Sequence, residues 1–224
     1  VTATASAAPA SEPSLRITEI FLSLQGECVE AGWPTVFVRL TGCPLRCRYC
    51  DTAYAFEGGE RMTLGGILAR VAGYGVGRVC VTGGEPLAQA AVHDLLARLS
   101  DEGYRVVLET GGALPVKDVD PRVVRILDLK TPGSGEEGKN LAANLAVLRP
   151  TDHVKIVLTD RGDYLWALER VRRERLSERA TVWFSPAWGE LDPRRLAEWI
   201  LEDRAPVRLQ LQLHKILWGE ERGR

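Results

Sequence analysis

The chain predicts an α/β fold built on a mostly parallel sheet. Three observations point there. Short apolar runs alternate with stretches of helical period, the pattern of successive right-handed βαβ units. Polar motifs fall at the ends of the predicted strands, at 82–85, 109–112, 128–130 and 185–188, where parallel sheets carry their ligands. No internal repeat beyond this alternation and no linker divides the chain, so residues 15–218 read as one domain.

In chain order, "RITEIFLSL" (16–24) opens as a strand and "TVFVRLTG" (35–42) is a second. "TLGGILARVAGY" (63–74) has helical spacing, weakened by its glycines. "GRVCVTGG" (77–84) is a short buried strand. A helix follows over 86–103, with Pro86 suited to its first turn and Gly103 to its C-terminal cap. Strands at 104–112 and 123–132, a helix at 139–148, a strand at 152–160 and a helix at 161–177 continue the series. A strand at 179–187, a helix at 191–203 and the segment 207–217 close it.

Composition sets bounds. Hydrophobic residues make up 45% and charged residues 26%, as in ordinary soluble domains, and the formal net charge of -1 gives no case for a nucleic-acid or acidic-membrane partner. No run approaches the ~18 apolar residues of a membrane span. Residues 1–14 are small and polar and read as a flexible leader; 219–224 read as a C-terminal tail. Five cysteines, an odd number with three inside eight residues, suit a reduced, cytoplasmic protein that uses thiols as ligands better than a disulfide framework.

Cys43, Cys47 and Cys50 have the spacing C-x3-C-x2-C in a loop after a strand. Thiolates suit zinc or an iron–sulfur cluster. A structural zinc site wants four closed ligands, and no partner pair exists: Cys28, Cys80, His153 and His214 are single and scattered. Three ligands on a four-iron cluster would leave one iron open for a substrate or cofactor. With Tyr49 before the last cysteine, this loop resembles that of the radical S-adenosylmethionine (SAM) superfamily, in which SAM chelates the fourth iron of a 4Fe–4S cluster. "TGGEP" (82–86) resembles the superfamily motif that binds the SAM amino group. The resemblance implies a partial, modified (β/α)6 barrel.

The opening "EIFLSLQGECVEAGWPTVFVRLTGC" (19–43), then "CDT" (50–52), "LETGG" (108–112) and "LQLHKILW" (211–218), resemble the 7-carboxy-7-deazaguanine synthase family over about residues 16–218. Glu19, Ile20, Gln25, Gly26, Glu27, Gly32, Pro34, Phe37, Arg39, Gly42 and Cys43 carry the match; Cys28 and Trp33 depart from it. The chain also runs past the last motif to "GEERGR", so contacts of a terminal carboxylate in shorter members need not transfer. The implied reaction converts 6-carboxy-5,6,7,8-tetrahydropterin to 7-carboxy-7-deazaguanine with loss of ammonia, on the route to queuosine or another deazapurine. It begins with hydrogen abstraction at C6 by a 5′-deoxyadenosyl radical, and it uses Mg²⁺. The resemblance further implies a homodimer. An electron donor such as flavodoxin is expected as a partner, its docking being the alternative reading of the charged run 169–179.

Roles for single residues follow from the same resemblance. Leu24, Gln25, Gly26 and Thr82 would line the substrate pocket. Arg39 offers a planar fork suited to a carboxylate, and Glu27 matches the guanidine-like end of a pterin. Glu109 would bind SAM ribose or substrate, because a buried acid without a partner is costly. Gln212 and His214 would reach the substrate. Gly84 and Glu85, then Asp128, Leu129 and Lys130, then Ser185, Pro186, Ala187 and Trp188, would hold SAM. Thr52 would ligate Mg²⁺ as a hard oxygen; Asp51 beside it reads equally as a loop cap. Cys28 and Cys80 read as free thiols, Cys80 as a small core residue. The charged run 169–179 reads as the wet face of a helix. Two rivals stand at this level: a glycyl-radical activating enzyme with the same radical chemistry, and a zinc-binding structural module.

Overall fold

The computed structural model describes residues 12–223, so most of the expected leader lies outside the described residues. β1 (Ser14–Leu24) and β2 (Pro34–Leu40) pair antiparallel, and β3 (Glu60–Thr63) adds to the outer edge of β1. From β2 onward each pair is parallel, through β4 (Arg78–Gly83), β5 (Arg105–Thr110), β6 (Val124–Asp128), β7 (His153–Leu158), β8 (Thr181–Pro186) and β9 (Arg208–Leu209). The nine strands run in the order β3-β1-β2-β4-β5-β6-β7-β8-β9. This is the expected α/β fold with a mostly parallel sheet, its one antiparallel portion confined to the first three strands.

Helices α1 (Leu64–Ala72), α2 (Val92–Asp101), α3 (Ala142–Ala146), α4 (Arg161–Arg173) and α5 (Pro193–Glu202) fill crossovers, and α6 (Leu213–Trp218) ends the fold. Thr63 caps α1 by accepting from the Gly66 N–H, and Asp160 and Asp192 cap α4 and α5 in the same way. The β5-to-β6 crossover forms no helix; its Val116, Val119 and Val123 enter the core instead. One sheet face packs on the helices through Val36, Val38, Val81 and Leu108. The other carries a smaller apolar layer of Phe37, Cys80, Val107, Ile126 and Trp183, which floors the concave side. Burial on both faces is why these strands read as continuous apolar runs.

Several boundaries move. Residues 12–14, expected in the leader, join the fold: the Leu64 N–H donates to the Pro13 carbonyl, and Ser14 pairs with Thr63 in the sheet. The helix expected over 86–103 starts as a 3-10 turn at Pro86–Ala88 and becomes α-helical only at Val92. Between them Gln89 donates to the carbonyls of Arg16 and Thr41, tying the segment to β1 and to the loop after β2. The helix at 139–148 shrinks to five residues. Asn144 within it accepts from the Val116 N–H and donates to the carbonyls of Gly112 and Leu114, clamping the helix-free crossover. The strand expected to 132 ends at Asp128. The segment 207–217 divides into the two-residue β9 and α6. Among the described residues no helix is long and apolar enough to cross a membrane.

Candidate active site

A cavity of about 450 Å³ opens where the parallel strands end. Cys43, Cys47 and Cys50 enter it from the loop after β2, and the loop is stitched down on both sides. The Glu85 N–H donates to the Gly42 carbonyl at 2.7 Å and the Gly84 N–H to the Leu40 carbonyl at 3.0 Å. On the far side the Arg48 N–H donates to the Ser134 carbonyl at 2.9 Å. The two motifs singled out in the sequence are therefore one packed unit. Burial pushes all three thiols up, the backbone and Lys130 opposing it only in part. Among the described residues, no three His, Cys, Asp or Glu side chains converge closely enough to hold a single metal ion. Three thiols that line one cavity from one loop are a donor set that fits an iron–sulfur cluster.

Opposite the cysteines lies a polar layer built from many elements. Glu109 of β5 accepts from Thr82 Oγ1 at 2.9 Å and from Gln25 Nε2 at 3.3 Å. Glu27 accepts from Lys155 Nζ at 2.7 Å and from Gln212 Nε2 at 2.9 Å. Burial alone would raise the Glu27 carboxyl, but Lys155 and Gln212 outweigh it and hold the group below the usual range. Asp128 pairs with Lys130 at 3.1 Å and Lys155 at 3.5 Å, while its buried Oδ1 has no hydrogen-bond partner. Asp128 as a residue lines the cavity, which can take a ligand with hydroxyl or amine donors, as SAM has. Arg39 Nε donates to Glu19 at 2.7 Å, and the Tyr54 hydroxyl donates to the same oxygen at 2.8 Å. Thr52 Oγ1 donates to Asp51 Oδ1 at 2.8 Å.

Most of the residues expected in the site line this cavity: Leu24, Gln25, Glu27, Arg39, Thr82, Gly84, Glu109, Asp128, Lys130, 185–188, Gln212, His214 and Thr52. Three stand behind the wall. Gly26 backs His214 so closely that a Cβ there would meet Nδ1 at 2.1 Å. Leu129 belongs to the helix-side core. Glu85 is fully buried and commits its carboxylate to the Thr110 hydroxyl and the N–H groups of Gly111 and Leu87. Its place is to brace the turn, while Thr82, Gly83 and Gly84 of the same motif line the cavity. Lys155, Glu19, Tyr54 and Arg222 also line or support the cavity and were not expected. Lys155 had a signal in the sequence, a lone lysine at an inward position of the apolar run "DHVKIVL".

The pattern of the radical SAM superfamily matches residues 37–128. A protein of Chlorobaculum tepidum named 7-carboxy-7-deazaguanine synthase is 50% identical over 94% of this chain and 97% of its own length. Proteins of the same name from Koribacter versatilis and Thermoplasma acidophilum are 43% and 39% identical over 92% of this chain and 98% and 99% of their own lengths. Among solved structures, QueE from Escherichia coli superposes with a TM-score of 0.73 over 90% of this chain and 95% of its own, at 23% identity.

Proposed function

The chain belongs to the 7-carboxy-7-deazaguanine synthase family of radical SAM enzymes, and from that premise we propose how its own cavity serves the reaction. The chain is a carbon–nitrogen lyase of queuosine biosynthesis. Its substrate is 6-carboxy-5,6,7,8-tetrahydropterin and its product 7-carboxy-7-deazaguanine. One observation carries the reading of the site: the cysteine loop, the GGEP turn and the residues matched to the pterin side, Gln25, Glu27, Arg39 and His214, all border one cavity.

Cys43, Cys47 and Cys50 would hold the 4Fe–4S cluster, and Gly84, Asp128, Lys130 and 185–188 would hold SAM. When bound, cluster and SAM together supply the 5′-deoxyadenosyl radical that takes the C6 hydrogen. Other tasks belong to the polar layer. Glu27, kept ionised by Lys155, offers two oxygens to the paired N–H donors of the pterin ring. Arg39 spends Nε on Glu19 and keeps its terminal nitrogens for a carboxylate. Thr52 gives its hydroxyl proton to Asp51, so its oxygen lone pairs are open to Mg²⁺, whereas Asp51 is engaged by Thr52 and by Lys215 at 3.6 Å. A flavodoxin-type electron donor and a homodimer complete the proposal.

The relatives reported above carry the synthase name over nearly their whole lengths, which favours that reading over both the glycyl-radical activase and the zinc module. The test is incubation of reduced, cluster-loaded protein with SAM, Mg²⁺ and carboxytetrahydropterin, followed by mass analysis. Formation of the deazaguanine is expected; its absence from fully loaded protein overturns the assignment.

A further inference from the structure

Beyond α6 the chain turns back over the cavity. Gly219, in the left-handed region at φ 63, ends the helix, and its N–H donates to the Lys215 carbonyl at 2.9 Å. Residues 219–223 then border the opening. The Arg222 guanidinium sits 4.3 Å from the centre of the Tyr54 ring, and the Arg39 guanidinium lies 5.9 Å from the same ring. Two guanidinium groups thus lie near one aromatic side chain that lines the cavity.

Their charges are not equivalent. Arg39 is already matched by Glu19, which also accepts from Tyr54. Arg48, Lys130, Lys155 and Lys215, the other lysines and arginines of the cavity wall before the tail, each face a carboxylate within 3.6 Å. Arg222 faces none among the described residues, and its partner is the Tyr54 ring. A carboxylate arriving beside Arg39 would find Nε already spent on Glu19 and only the terminal nitrogens open. The tail adds the Arg222 guanidinium, which has no carboxylate at ion-pair distance among the described residues, on an edge that Glu220 and Glu221 also line.

We propose that Arg222 is a second carboxylate-reading residue of this cavity, closing over the Arg39 side to bind the carboxylate of the pterin substrate. The inference rests on the substrate reading above and assigns the tail a part in it. Two planar forks on one carboxylate give both charge and orientation, which a lysine in either place would supply only in part. SAM also carries a carboxylate, and the binding measurements distinguish the two.

The test uses cluster-loaded protein and two stable probes, 6-carboxypterin and pterin, which differ by the carboxylate alone. Binding is followed by probe fluorescence, and SAM binding is measured separately. R222A is expected to weaken 6-carboxypterin by about tenfold, the scale of one charge-assisted contact, with pterin and SAM changed by less than about twofold. R222K should recover part of the loss. Equal weakening of both pterins, no weakening of either, or weakening of SAM instead each overturns the inference. If the wild-type protein itself fails to prefer 6-carboxypterin over pterin, the substrate reading falls, and this inference with it. Arg222 is solvent-exposed and outside the core, so unfolding will not mask the result.

Discussion

Glu85 has no exposed surface, yet its carboxylate carries three separate donors: the Thr110 hydroxyl, the Gly111 N–H and the Leu87 N–H. Replacing it with alanine strands all of them in the interior. Each buried donor left unpaired costs about 1–3 kcal/mol, so E85A should lose roughly 3 kcal/mol and E85Q less. For a chain of this length that is a fall of roughly 10 °C in Tm, readable by circular dichroism. A loss below about 1 kcal/mol would show that the turn holds without it. Thr52 makes a contrasting case, because its hydroxyl supports no core contact. T52A should keep its iron and its Tm but lose most of the Mg²⁺ stimulation of turnover, with T52S retaining it. Equal stimulation in T52A and wild type would remove Thr52 as the ligand.

Between elements, the decisive contact is the cysteine loop on the GGEP turn. A Cβ at Gly84 would sit 2.1 Å from the Gly42 carbonyl oxygen, too close for any side chain, and 3.0 Å from Cys43 Cβ. G84A must therefore push the cysteine loop away from the turn. Reconstituted G84A is expected to hold less than about half the wild-type iron per chain; full iron loading with unchanged absorbance would show that the loop yields freely. Both motifs were legible in the sequence because each is local: three thiols in eight residues, two glycines after a strand. That they lock together was not, since the link is a pair of backbone hydrogen bonds that no side chain announces. The same limit explains β3 and the late start of α2. β3 is four residues with no apolar alternation, held by pairing with β1, and α2 is delayed by the side-chain bonds of Gln89 to residues far earlier in the chain. Continuous apolar runs alternating with helical stretches, by contrast, predicted the parallel sheet directly.

On the scale of the whole molecule, the sequence could not show how charges from distant segments pair across the barrel. Lys155 meets Glu27, and Arg125 meets Asp152 beneath the sheet, where Asp152 also accepts from the Arg149 N–H. These pairings fix the pH dependence of stability. For Glu27, Glu30, Asp51, Asp128 and Asp152, burial alone would raise the carboxyl, but neighbouring cations and hydrogen bonds prevail and hold each below its ordinary value of 4.5 or 3.8. Their stabilisation is complete above those values and is lost as pH falls through the folded ones. Burial lowers His153 and His214 from 6.5, so their contribution starts to be lost as pH falls through 6.5. Burial raises Glu85, which works the other way: its share is largest below 4.5 and declines as pH rises through its folded value. Lys155 is raised well above 10.5 by Glu27 and Asp128 against the effect of its own burial, so its share survives until pH exceeds that range. Burial raises all five cysteine thiols above 9.0, so their share is complete below that value and declines above it. Denaturant unfolding from pH 3 to 11 should therefore show a plateau between about pH 7 and 9, a fall above 9, a shallow fall below 6.5 and a steep one below 4.5. D152N separates these contributions. It leaves Arg125 buried without its charge partner, costing about 3–5 kcal/mol at neutral pH. It also removes one titrating carboxyl, so its acid limb should be shallower than that of the wild type, and parallel acid limbs in the two proteins would show that Asp152 is not among the groups whose protonation unfolds the chain.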